Sequence, residues 1–176
     1  MSFILLFRVC LFLVFMIAAW RLGDWKNWRK YYPTVLFVMV INLGVSFITY
    51  HHILWNYSQD ILIKTQSTVE LVNSFLMLPA TVFTYLSQYP VNNKFQQYGY
   101  ILLWVVIFSG LEYVDTTIGG ITYKNGWSWH MSSIFDIAMF SIIRFHHINP
   151  LGAWIITLVL TAVILVVFNF DSAEMK

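Results

Sequence analysis

Charge is what this chain has least of. Only 10% of its 176 residues are Asp, Glu, Lys or Arg, against roughly 25% in an ordinary soluble domain, and a globule so poor in charge would not stay in solution. A single cysteine, Cys10, excludes a disulfide framework within the chain and any thiolate zinc site. Lying inside an apolar run, it reads as a small lipid- or core-facing residue. The formal net charge of +2, with no basic stripe interleaved with aromatics, excludes nucleic acid as a partner. His-Glu-x-x-His, Gly-x-Ser-x-Gly, a phosphate-binding glycine loop and the dinucleotide fingerprint are all missing. No cofactor is implied.

What the chain does have is apolar length. Hydrophobic residues make up 59% and aromatics 19%, the second in line with the Trp and Tyr belts of membrane interfaces. A spanning helix needs about 20 mostly apolar residues, and six stretches qualify: Ser2–Trp20, Pro33–Ile53, Val69–Leu86, Tyr98–Val114, Trp127–Phe145 and Leu151–Phe168. The chain is therefore expected to be one all-α domain, 1–176, a polytopic transmembrane helical bundle with the lipid bilayer as its first partner. The first run lacks a small-x-small site at Ile17-Ala18-Ala19-Trp20-Arg21 and reads as an uncleaved span. Pro79 predicts a kink in the third span, its freed carbonyl taken by a nearby Ser or Thr. In the loop Asp115–Gly126, Gly119-Gly120 between two Thr/Ile-rich arms signals a short β-hairpin flap. Asn125-Gly126 signals a second turn.

The Lys/Arg bias sets orientation. Loops after spans one, three and five carry Arg21, Lys26, Arg29, Lys30, Lys94 and Arg144; the opposite side carries Lys64, Lys124, Lys176 and, if it snorkels, Arg8. Both termini are expected outside, with Trp25, Trp28, Tyr31 and Tyr32 anchoring the inner interface.

An ionisable residue in hydrocarbon costs about 2.5 kcal/mol or more, so it faces the bundle interior with a partner. Arg8, Asn42, Glu70, Asn73, Glu112, His130 and Asp136, together with His51 and His52, all fall in the half of the membrane that holds the N-terminus. By helical rise Arg8 and Asp136 both lie on the order of 10–14 Å deep, so an Arg8–Asp136 pair is expected, and Glu112 is expected to meet His130 across spans four and five. Helical spacing makes stripes: Asn42, Ser46 and Thr49 on span two; Glu70, Asn73, Met77 and Thr84 on span three; Ser109 and Glu112 on span four; Trp129, Ser133, Asp136 and Phe140 on span five. Span six carries only Thr157 and Thr161 and is expected to face lipid. Together the stripes suggest a polar vestibule open to one side. The competing reading is helix–helix glue, at about 0.6 kcal/mol per hydrogen bond. His51 and His52, about 100° apart at a helix end, read as solvated. His130 with Glu70 and Glu112 lacks metal-ligand spacing, so no metal is expected. Arg144, His146 and His147 complement a helix C-terminus before Pro150 stops it.

Several pieces, namely Leu54-Trp55, Leu86-Ser87-Gln88-Tyr89-Pro90, Glu112, Tyr123-Lys124-Asn125-Gly126-Trp127, Asp136, and Arg144-Phe145-His146 with Pro150, resemble an uncharacterised family of small multi-pass membrane proteins of Gram-positive, often spore-forming, bacteria. The resemblance spans most of the chain. It implies a bacterial plasma-membrane setting and no particular activity or site residue. Three functions compete. The first is small-ligand or ion binding or transport through the vestibule. The second is a membrane-embedded enzyme acting on a lipid or isoprenoid through Asp136, Glu112 and His130. The third is an accessory or scaffold subunit with a membrane protein partner. The missing inverted repeats weigh against a self-contained transporter, although a homo-oligomer would supply a second half.

Overall fold

A computed structural model of the chain describes residues 3–60 and 64–170. Seven helical segments run α1 (Phe3–Leu22), α2 (Trp28–Ile48), α3 (Gln66–Val72), α4 (Leu78–Ser87), α5 (Lys94–Thr117), α6 (Trp129–Ile148) and α7 (Pro150–Val167). A five-residue π-helical turn, Asn73–Met77, fuses α3 and α4 into one long helix. The bundle therefore has six long helices. Five are long and apolar enough to cross a membrane: Phe3–Leu22, Trp25–Ile48, Gln66–Ser87, Lys94–Thr117 and Pro150–Val167. The sixth, α6, is less apolar because it carries Asp136, Arg144 and three histidines. It nevertheless runs the depth of the bundle antiparallel to α5: Trp129 meets Tyr113, Asp136 meets Ser109, and Phe140 meets Trp104.

The expected boundaries hold to within a few residues, except at span two. That helix starts at Trp28 and ends at Ile48, so Pro33 sits inside its second turn and Thr49–Ile53 lie beyond its end. Near a helix start the missing proline N–H removes a single bond, which the helix tolerates. Ser2 and Lys176 lie outside the described residues.

No Ser or Thr hydroxyl of the third span takes the carbonyl expected to be freed by Pro79, and the helix changes pitch beside it. The chain widens one turn before it: the Leu78 N–H bonds Asn73 O, five residues back. The hydroxyls of this helix bond other carbonyls, Ser74 to Glu70 O and Thr81 to Met77 O, both four residues back. The π turn adds a residue to the third span and breaks the Glu70–Asn73–Met77–Thr84 stripe, because the faces above and below it are rotated apart.

α4 is the centre of the molecule. Every residue from Ala80 to Leu86 is buried, and α1, α2 and α6 pack around it. In lipid, apolar burial alone does not drive helices together, so close packing and internal hydrogen bonds carry specificity. Tyr85, fully buried, donates to Phe140 O at 3.0 Å and touches Trp104, Tyr100 and Tyr89. Thr34 of α2 meets the buried His146 Nδ1 at 3.0 Å. Asn149 caps α7 by accepting the Gly152 N–H, and Pro150 opens that helix, the position where proline is pre-organised. α7 fully buries only Ala153 and Thr157, packs Trp154 on Phe37, and leaves most of its other apolar residues exposed.

The two ends of the bundle differ. At one end the turn after α1 presses on α4. A Cβ at Gly23 would run into the Phe83 ring and Ala19 O, while Ser87 and Gln88 bond Asp24 N and Leu22 O. This end holds Arg21, Lys26, Arg29, Lys30, Lys94 and Arg144, the last stacked over Tyr89 at 4.4 Å.

At the other end β1 (Trp55–Tyr57) pairs antiparallel with β2 (Ile121–Tyr123), Asn56 opposite Thr122. The flap expected within 115–126 exists, but its second strand comes from the loop after α2. Gly119 is no hairpin tip. With φ +77° it ends α5, its N–H bonding Thr116 O and the Gly120 N–H bonding Asp115 O, the pairing of a Schellman cap. Asn125 and Gly126, both at positive φ, form the expected second turn.

A polar layer beneath a two-stranded flap

Arg8 leaves α1 near its start, and its long side chain reaches the flap. Nη1 donates to Asp60 Oδ2 at 2.8 Å and to Ser58 O at 2.9 Å, and Nη2 donates to Gly120 O at 3.2 Å. One guanidinium therefore ties α1 to both loops, and the Arg8–Asp60 contact is the only ion pair among the described residues. The expected Arg8–Asp136 pair does not form. The helices explain why: α1 packs on α4, whereas α6 packs on α5, α7 and α2. Asp136 is buried against Ser109, whose hydroxyl lies at 3.4 Å.

The other expected residues sort into two groups beneath the flap. In the first, Asn42 of α2 donates to Ser74 Oγ at 2.7 Å and Ser46 donates to Glu70 Oε2 at 2.9 Å. The second Glu70 oxygen accepts Gln66 Nε2 at 3.0 Å, and Gln66 Oε1 accepts the Tyr57 N–H at 2.8 Å. Asn73 Nδ2 reaches the Tyr57 hydroxyl at 3.4 Å. Thr49, expected with Asn42 and Ser46, instead bonds Val45 O in its own helix.

In the second group Glu112 accepts the Tyr123 hydroxyl at 2.7 Å. The expected Glu112–His130 approach yields no ion pair within 4 Å. His130 is exposed, its ring edge-on to Trp129, whose indole N–H bonds Ser109 O. The short connection between α5 and α6 is spent on β2, and Tyr123 takes the carboxylate first. Ser133 bonds Trp129 O. His51 is exposed beside Tyr50, and His52 packs on Phe170.

Tyr57 joins the groups. Burial pushes its phenol above the ordinary value, and the charges of Glu70, Glu112 and Asp115 push the same way while Arg8 opposes. Burial and the Glu112 hydrogen bond likewise raise the Tyr123 phenol. Asp115, three residues after Glu112, is 8% exposed, and its Oδ1 is buried with no hydrogen-bond partner. It is wedged against Gly120, where even a Cβ would collide with that oxygen.

Sequence reasoning missed Tyr57, Asp60, Asp115 and Tyr123. The i, i+3 spacing of Glu112 and Asp115 was a usable signal. The three-residue strands were too short to announce themselves. Among the described residues no three His, Cys, Asp or Glu side chains converge as a metal site. What the layer offers chemically is a row of carboxylates and phenols under the two-stranded flap, with one internal guanidinium. No protein-family model, curated protein or solved structure matches the chain.

Proposed function

We propose that the chain is a multi-pass protein of a bacterial plasma membrane that binds a small positively charged ligand or ion in the polar layer beneath the flap. In this reading the flap end and both termini face outward. The observation that carries it is Asp115 Oδ1, a buried carboxylate oxygen without a hydrogen-bond partner in a layer where Asp60, Glu70 and Glu112 outnumber Arg8. Leaving such an atom unsatisfied costs on the order of 1–3 kcal/mol or more; a proton or a small cation removes that cost. Support for the orientation comes from six Lys and Arg at the opposite end against Arg8, Lys64 and Lys124 at the flap end. The family resemblance supports the bacterial plasma membrane. The enzyme reading has less behind it, because His130 lies exposed on Trp129 and forms no ion pair with the carboxylates it would serve.

The test is thermal unfolding in neutral detergent with sodium, potassium, choline or spermidine at matched ionic strength. One of these is expected to raise the midpoint of the wild type and not of Asp115→Asn, since a ligand at a hundred times its Kd adds about 2.7 kcal/mol. Equal midpoints across the series, or equal shifts in Asp115→Asn, would refute the cation reading.

A second reading, an accessory subunit, is favoured by the apolar groove between α6 and α7 lined by Ala138, Ser141, Ile142, Phe145, Ile156 and Leu160. A stoichiometric membrane protein retained in native purification would favour it.

A further inference from the structure

The geometry points to a second binding surface at the basic end of the bundle: the depression lined by Lys26, Asn27, Trp28, Arg29 and Lys30 holds the headgroup of an anionic phospholipid. Three cations share this one hollow, all of them exposed and none in an ion pair. The only acidic side chain at hand, Asp24, is engaged: it accepts Asn27 Nδ2 at 3.0 and 3.2 Å and the Tyr31 hydroxyl at 3.2 Å. The Asn27 amide, with a lesser contribution from the Lys30 charge, holds that carboxyl below its usual range, yet Asp24 forms no ion pair within 4 Å with any of the three cations. Arg29 instead lies over the Trp28 ring at 5.8 Å and Lys30 over Tyr31 at 5.7 Å.

The exposed aromatic residues of this end point to the occupant. Trp28, which lines the hollow, is 45% exposed, and Trp20, Trp25 and Tyr32 nearby in sequence are 66%, 55% and 48% exposed; exposed indoles and phenols of membrane helices settle at headgroup level. A cation cluster at that level meets lipid phosphates before it meets any soluble anion, and each Lys or Arg near an anionic leaflet strengthens attraction by about fivefold. Trp25, the residue before Lys26, is fixed by its indole N–H on Ala19 O at 3.1 Å and by the Phe83 ring, so the chain enters the hollow from an anchored position. The surface is independent of the polar layer at the far end of the bundle and does not rely on its function.

Native mass spectrometry of the purified protein tests this, with equimolar phosphatidylglycerol and phosphatidylcholine added in neutral detergent. The wild type is expected to retain phosphatidylglycerol at least tenfold over phosphatidylcholine, and Lys26→Gln/Arg29→Gln/Lys30→Gln to lose that preference. Lys64→Gln/Lys124→Gln, at the other end, is expected to keep it. Should the triple variant fold poorly, Lys26→Gln alone, in an exposed turn, is expected to lower the preference about fivefold. Equal retention of the two lipids by the wild type would overturn the proposal, as would an unchanged preference in Lys26→Gln. Millimolar inorganic phosphate displacing phosphatidylglycerol would assign the hollow to a soluble anion and overturn it equally.

Discussion

Arg8 Nη1 stands 2.8 Å from Asp60 Oδ2, with the carboxylate side chain fully covered and the guanidinium 12% exposed. The pair closes the flap onto α1, and Arg8 adds bonds to the carbonyls of Ser58 and Gly120. Removing Arg8 takes the counter-charge from a covered carboxylate, so Arg8→Leu is expected to cost about 3 kcal/mol. Arg8→Leu and Asp60→Leu should combine non-additively, whereas Arg8→Leu and Asp136→Leu should add. Detergent unfolding of the three single and two double variants measures this. Additivity in the first cycle and coupling in the second would reverse the assignment.

Gly120 packs so closely on Asp115 that an added Cβ would collide with its carboxylate. Gly120→Ala is expected to destabilise the protein by about 1–3 kcal/mol through overpacking. Gly119→Ala meets no neighbour and pays only for its φ of +77°, about 1–2 kcal/mol. Adding Asp115→Ala should recover most of the Gly120→Ala loss and none of the Gly119→Ala loss. Unfolding midpoints of the five variants decide it.

Much of the fold was legible in the sequence because a membrane span announces itself by apolar length, which the six runs supplied. The acidic side of the site was partly legible: Glu70, Glu112, Asn42 and Asn73 do lie beneath the flap. Which residue meets which was not. Depth along a helix can be counted, but helix neighbours cannot, and Arg8 was matched to Asp136 on depth alone. The π turn at Asn73–Met77 rotated a stripe that 3.6-residue counting held intact. Tyr57 and Tyr123 come from strands of three residues paired across more than 60 positions of sequence, beyond any local pattern.

Both phenols of the flap should make the protein alkali-sensitive. Tyr57 and Tyr123 have folded values raised above the unfolded value of about 10. Their protonated forms are favoured in the folded state, so their contribution is intact below about pH 10 and is lost as pH rises beyond it, at up to roughly 1.4 kcal/mol per pH unit for each phenol. The unfolding midpoint of the wild type is expected to fall between pH 10 and 12. Tyr57→Phe should fall less steeply and Tyr57→Phe/Tyr123→Phe least. Parallel curves for all three would show that neither phenol is linked to folding.

The proposed orientation rests on the Lys/Arg bias together with six crossings by the six long helices. Single cysteines at Lys26, Lys64, Lys94 and Lys124, in a Cys10→Ser background, should label alternately from inside, outside, inside and outside the cell. Equal outside labelling at Lys26 and Lys64 would contradict six crossings.

The most direct measurement of the central claim, a positive ligand beneath the flap, is charge displacement in proteoliposomes on a solid-supported membrane. Steps in pH and in sodium, potassium, choline and spermidine are applied in turn to the wild type, Asp115→Asn and Glu112→Gln. The account predicts a transient current of inward positive charge for one of these steps in the wild type, lost in Asp115→Asn and reduced in Glu112→Gln, with folded yield preserved. No current in the wild type for any step, or the same current in Asp115→Asn, would contradict it.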